Sequence, residues 1–227
     1  MWSFADVSEG AGRRACWLLA NADRIFQARR SLVSRHDHIL SCLLLNTDRR
    51  LCPQRRDQIT KGDHGRVTET EIIEYVSGLA GVVAIAASKE IGAPESAWGD
   101  SFFYYDPDGN VAENRRFPFA TLVISDYPGW DTESDLDRDG IFRVNVAVGR
   151  GGFERLLGYT PKEHAAHHDN FDYAATDVLL PHPLYASQGW ISILNPGDRT
   201  STQLQKLVED AHGLAVRRYA RRRNIDE

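Results

Sequence analysis

Asp177, His182 and Ser187, all in the last quarter of the chain, have the side chains of a serine-hydrolase site. In such a site a carboxylate orients an imidazole, and the imidazole takes the proton of an attacking hydroxyl. The G-x-S-x-G elbow that exposes a nucleophile between strand and helix is missing, because Ser187 stands in Ala186-Ser187-Gln188. No cysteine follows Cys52, so a thiol nucleophile has no place nearby. His182 lies between Pro181 and Pro183, a rigid corner that leaves the imidazole to bond backbone. His182 with Asp177 is still the best catalytic pair in the chain, and a small hydrolase using it is the alternative to a binding role.

Two segments imitate metal sites. Asp135-Leu-Asp137-Arg-Asp139-Gly140 opens like a calcium loop, whose oxygen cage is completed by a Glu at the twelfth position. Counted from Asp135, that position is Val146, and a strand pattern stands where the exiting helix should be. An acidic turn is the better reading, with Asp135 or Asp137 paired to Arg138 or Arg143. His164 and His168 are four apart, a spacing that offers both rings to one zinc, but no Glu follows His164 to make H-E-x-x-H. Glu163, Asp169 and Asn170 mark their surroundings as a solvated surface segment. Cys42 and Cys52, with His36 and His38, fit no zinc spacing. No metal and no cofactor is assigned.

The aromatic residues carry more weight. Trp98, Phe103, Tyr105, Trp130, Tyr185 and Trp190 are more large rings than one small sheet buries. Core packing alone is the commoner use of such rings; if the domain has a site, those left over from the core would line its cleft. The ligand-binding set is therefore Trp98, Arg143, Asn145, His182, Tyr185 and Trp190. Arg217-Arg218-Tyr-Ala-Arg221-Arg222-Arg223 could touch nucleic acid, but a helix C-terminus favours cations in any case. The acidic balance around it repels phosphate, which leaves a weak nucleic-acid binder as the least favoured alternative.

The elements that must position these groups follow from pattern. Thr68-Glu-Thr-Glu71 opens a helix with a capping box, and Ile72, Ile73, Tyr75, Val76 and Leu79 supply its apolar stripe. Residues 82–87, 100–105, 117–125, 141–148 and 189–194 read as strands, with the turn Asp106-Pro-Asp-Gly-Asn110 behind the second. In the fourth, Phe142, Val144, Val146 and Val148 share one face, and Arg143 and Asn145 share the other. A middle helix is expected over 153–157, an apolar segment at 174–180, and a long terminal helix capped by Thr200 or Ser201. The order predicts an α+β fold, a mostly antiparallel sheet with an N-terminal, a middle and a long C-terminal helix.

Charge divides the chain. Residues 1–66 hold 12 basic against 7 acidic residues and all three cysteines, whereas residues 67–227 hold 15 against 25. The first part shows neither an amphipathic helix nor an alternating strand. It is expected to be a disordered leader or the product of an overlong gene start, with one α+β domain over 67–227. No apolar run approaches the ~18 residues of a membrane span, and no secretory signal is present, so the expected location is cytoplasmic with no membrane partner.

Ala97-Trp-Gly-Asp100-Ser-Phe-Phe-Tyr-Tyr-Asp-Pro-Asp-Gly109 is followed by Ser134-Asp-Leu-Asp-Arg138 and Phe142-Arg-Val-Asn145. Pro181-His-Pro-Leu-Tyr185, Trp190 and Leu194-Asn-Pro196 complete the series. With these motifs in this order, residues 68–223 resemble the bacterial domain-of-unknown-function family 6194. The ending, a Trp-bearing last strand, an Asn-containing turn and a terminal helix, is more distantly similar to MmcQ/YjbR-like proteins. Both resemblances imply a small α+β fold and neither implies an activity. The expected function is non-catalytic binding of a small molecule or an interaction with a protein. The native polypeptide is expected to begin near Val67; intact-mass measurement on protein from its source would show that start, and a mass that includes Met1 would refute it.

Overall fold

The computed structural model describes residues 66–112 and 115–226, together with Ile59. The rest of the expected leader lies outside the described residues. Helix α1, Glu69–Ser77, starts at the capping box: Thr68 Oγ1 accepts from the Glu71 N–H, and the Glu71 carboxylate accepts from the Thr68 N–H at 2.8 Å. The strands are β1 Val82–Ala86, β2 Ser101–Tyr105, β3 Ala120–Val123, β4 Arg143–Ala147, β5 Leu179–Pro181 and β6 Trp190–Leu194. Helix α2, Gly149–Leu157, follows β4, and helix α3, Ser201–Asp226, closes the fold. The strands form one sheet in the order β1-β2-β3-β4-β6-β5, every neighbouring pair antiparallel. The α+β expectation holds. Among the described residues no helix is long and apolar enough to cross a membrane.

The register explains why the two sheet faces differ. Phe103, Ala120 and Val146 stand in one row across the strands, and Leu122, Val144 and Ile193 in the next. All are buried with Ile72 and Val76 of α1, Phe153 of α2, and Leu204, Leu207 and Val208 of α3. This is the main core, at about 25 cal/mol for each Å² of apolar surface removed from water. The opposite face carries Phe102, Thr121, Asn145 and Ser192 in one row and Val123 and Arg143 in another. No helix covers it. Part is closed over β1 and β2 by Ala93 and Ala97 packing with Ile85 and Tyr104. The loop 124–142 closes another part with Leu136 and Ile141 against Val123 and Leu194.

Three elements differ from expectation. Helix α2 begins at Gly149 rather than near Phe153, despite the poor helix propensity of three glycines. The start sits where Gly189, at φ +81°, approaches so closely that a Cβ would lie 2.8 Å from the Gly149 backbone, with the Gly149 N–H bonded to Gly189 C=O at 3.0 Å. The apolar segment 174–180 yields only the three-residue β5, because Asp177 interrupts it at φ +55°. The polar segment 160–172 is less exposed than expected. His164 is buried, its Nδ1 bonded to Tyr159 Oη at 3.0 Å and its Nε2 to Tyr173 Oη at 3.2 Å. Two hydroxyls satisfy both ring nitrogens, which removes the penalty of burying them.

Asp177 fastens the last helix. Its Oδ1 accepts from the Gly197 N–H at 2.8 Å, the Thr200 N–H at 3.0 Å and the Thr200 hydroxyl at 2.6 Å, while Oδ2 accepts from the Arg199 N–H at 3.2 Å. Burial opposes the charge of this carboxylate, but those bonds together outweigh it and hold its pKa below the ordinary value. Asp177→Ala is expected to lower stability by about 2 kcal/mol or more in urea unfolding, because it orphans four donors. Asp177→Asn, which keeps an acceptor oxygen and tolerates positive φ, should lose less; equal loss in both variants would contradict this account.

Candidate functional site

The uncovered part of the second face is a cleft of about 80 Å³ with a largely apolar surface. Phe102, Thr121, Val123, Arg143 and Asn145 on β2, β3 and β4 form its floor. Tyr127 and Asp131 come from the loop after β3, His182, Tyr185 and Gln188 from the corner between β5 and β6, and Trp190 from the start of β6. Five of the six residues expected to bind a ligand, Arg143, Asn145, His182, Tyr185 and Trp190, therefore line one concavity. Trp98 is placed elsewhere. It follows the short turn Glu95–Ala97, is 37% exposed, and spends its indole N–H on Ala93 C=O at 2.9 Å.

Arg143 is only 1% exposed. Its guanidinium meets Asp131 with both prongs, Nη1 to Oδ1 at 3.1 Å and Nη2 to Oδ2 at 2.5 Å, and Nη1 also donates to Ser134 Oγ at 2.7 Å. A paired carboxylate this close neutralises a charge that the interior would otherwise not hold. Asp135 and Asp137, the partners expected from the sequence, are engaged elsewhere. Asp135 instead ion-pairs with Arg138 at 3.3 Å, and Asp137 accepts from the Asp126 N–H at 3.1 Å. The expected pairing of Asp135 with Arg138 is thus present, while Arg143 takes Asp131, twelve residues back. The would-be calcium segment is a turn held by these local bonds, with Leu136 buried in its middle.

His182 is 3% exposed, and its Nδ1 accepts from the N–H groups of Leu184 at 3.1 Å and Tyr185 at 3.3 Å. The proton of the neutral ring therefore sits on Nε2. Burial, then the nearby Arg143 charge, holds the imidazole pKa well below its ordinary value. At neutral pH the ring is an uncharged N–H donor. Asp177 does not touch it, since both carboxylate oxygens are engaged at the start of α3, and Ser187 is exposed on the short turn Ala186–Gln188. The three hydrolase-type side chains are not brought into contact.

Among the described residues, two cleft-lining groups have one buried polar atom without a hydrogen-bond partner, Arg143 Nε and Asn145 Oδ1, while the Tyr185 hydroxyl faces the Trp130 indole N–H. Asn145 is fixed from its other end, where Nδ2 donates to Thr121 Oγ1 at 3.0 Å. Behind the cleft wall, the Tyr127 hydroxyl donates to Asp100 Oδ2, and Asp100 Oδ1 accepts from the Ile124 N–H at 3.0 Å. Asp100 is fully buried, and this desolvation raises its pKa to about 7 despite those bonds and the Arg143 charge. Tyr127, Asp131 and Asp100 had no signal in the sequence beyond their types. Only the need of a buried Arg143 for a carboxylate could have pointed to Asp131.

Residues 67–224 match a family of unknown function (DUF6194), and the chain belongs to it. No curated protein and no solved structure matches the chain.

Asp100 gives a pH dependence of definite sign. Its pKa rises from about 3.8 in the unfolded chain to about 7 in the fold, so the folded state holds the proton more tightly. Its contribution to stability is full below pH 3.8 and is lost as pH climbs toward 7. His182 acts oppositely, since its depressed pKa withdraws stability as pH falls below 6.5. Asp100→Asn isolates the first effect. Between pH 5 and pH 8, urea unfolding should move in the variant's favour relative to wild type by at least about 1.4 kcal/mol. A constant difference would mean that Asp100 ionises normally.

Proposed function

We propose that this protein is a non-catalytic binding module that takes a small organic molecule into the cleft on the uncovered sheet face. The observation carrying this reading is the pair of buried polar atoms, Arg143 Nε and Asn145 Oδ1, left without a partner among the described residues on two residues that line a largely apolar concavity. Buried polar atoms are nearly always satisfied, and those left over at a cleft are the ones a ligand would complete. Pockets for drug-sized ligands usually measure roughly 300–1,000 Å³. A cleft of about 80 Å³ suits a compound of one ring, part of which stays at the mouth.

The hydrolase alternative draws less support. A general base needs a free lone pair facing the substrate, and the lone pair of His182 is already shared by two backbone N–H groups. The nucleic-acid alternative is weaker still. Along α3, Arg222 donates to Arg115 C=O at 2.8 Å and Arg223 lies 3.6 Å from the Asp108 carboxylate, so part of the basic run is occupied within the chain.

The test is a screen of single-ring compounds by ligand-observed NMR, with Trp190→Ala and His182→Ala as controls whose folding is verified by circular dichroism. Compounds that bind wild type should weaken about tenfold or more in Trp190→Ala, a loss of about 1.4 kcal/mol. A screen without cleft-dependent binders would end this reading. Turnover of ester or amide substrates that disappears in His182→Ala would replace it with the hydrolytic one.

A further inference from the structure

The unspent hydrogen-bonding groups and the charges at the cleft together specify a kind of ligand. This step rests on the binding role just proposed. Each formal charge beside the cleft already has its partner: Arg143 is matched by both oxygens of Asp131, and Asp100 accepts from Tyr127 and from a backbone N–H. His182 contributes no charge, because its ring stays neutral. An entering anion would meet the Asp131 carboxylate and find no uncommitted cation. An entering cation would meet the guanidinium and lose water it could not replace. Burying an unmatched charge is unfavourable in either case.

What is left over is asymmetric. Arg143 Nε–H is a donor, Tyr185 Oη accepts from the Trp130 indole N–H and has its own proton left to donate, and Asn145 Oδ1 can only accept. His182, on the same wall, carries its proton on Nε2. We infer that the cleft selects a small uncharged ring compound bearing a carboxamide-type group, whose carbonyl oxygen takes the arginine, tyrosine or histidine hydrogen and whose N–H is accepted by Asn145. The carbonyl and amide N–H of such a group lie side by side, and Arg143 and Asn145, two residues apart on β4, are neighbours on one face of the sheet. The ring would rest on the apolar part of the lining, which Phe102 and Trp190 supply.

Four probes of nearly one shape separate the possibilities at neutral pH: benzamide, benzoate, benzamidinium and acetophenone. They differ in charge and in whether they offer a donor, an acceptor or both. Titration calorimetry, with two-dimensional amide NMR to locate the shifts, should show benzamide binding at the cleft about tenfold tighter than benzoate and benzamidinium, and severalfold tighter than acetophenone. Asn145→Asp keeps the size and the acceptor while adding a negative charge, and should turn the preference toward benzamidinium. Benzoate or benzamidinium binding tightest to wild type would overturn the inference in favour of an anionic or cationic ligand. Acetophenone equal to benzamide would remove the acceptor role assigned to Asn145. If none of the four binds while other single-ring compounds shift cleft resonances, the carboxamide class fails and the binding role stands; if no compound shifts them, the binding role fails with it. The wild-type comparison decides these outcomes even where Asn145→Asp does not fold.

Discussion

A guanidinium buried on the central part of a sheet sets most of the second face. Arg143 lies on β4 between β3 and β6, and it cannot shed its charge, because arginine stays protonated at any pH a protein survives. It therefore requires a carboxylate inside the protein, and Asp131 brings the loop 124–142 with it. Ser134 Oγ, on the same loop, accepts from Arg143 Nη1, and the backbone of Tyr127 pairs with that of Asp131 through N–H to C=O bonds of 2.9 Å. Removing one partner of such a pair typically costs about 3–5 kcal/mol, because the other charge is left stranded. The pair is better understood as the fixture that holds a loop over polar strand residues than as a source of net stability.

That fixture also explains why a cleft persists. Thr121, Asn145 and Ser192 stand in one row across β3, β4 and β6, a polar band through the middle of the sheet. An apolar helix laid on this band would bury groups that it could not bond. The other face has Ala120, Val146 and Ile191 at the neighbouring positions, and there three helices close without difficulty. The loop covers only what it can satisfy, with backbone and short side chains. Between it and the corner at His182 the floor remains uncovered, and its least satisfied atoms are there.

Much of this was legible because strand residues alternate. The pattern of Phe142–Val148 alone assigns Arg143 and Asn145 to the face opposite Val144 and Val146, and the pairing register places them so. The capping box at Thr68 is likewise a local signal, complete within four residues. What the pattern could not supply was long-range pairing. Nothing in the spacing of Asp131 and Arg143 marks them as partners over Asp135 and Asp137, because the carboxylates of one loop are equivalent until the loop's path is known. Trp98 and Trp190 pose the same problem: both are large rings, and only the fold separates the one at the cleft from the one whose indole bonds a nearby carbonyl. The start of α2 was hidden for another reason. Its glycines follow the close approach of Gly189, a tertiary constraint that helix propensity opposes.

His182 shows how burial can take a familiar chemistry away from a residue. A histidine beside an aspartate and a serine in sequence suggests proton transfer, which needs an imidazole that gains and loses a proton near neutral pH. Desolvation and the adjacent Arg143 instead keep this ring neutral, and two backbone donors occupy its lone pair. The same low dielectric that suppresses its charge strengthens any hydrogen bond its N–H makes. A fixed, neutral donor on the wall of a mostly apolar cleft is well suited to recognising an acceptor and poorly suited to moving a proton. The residue that looks most catalytic in the chain is therefore, by its surroundings, better suited to reading a ligand.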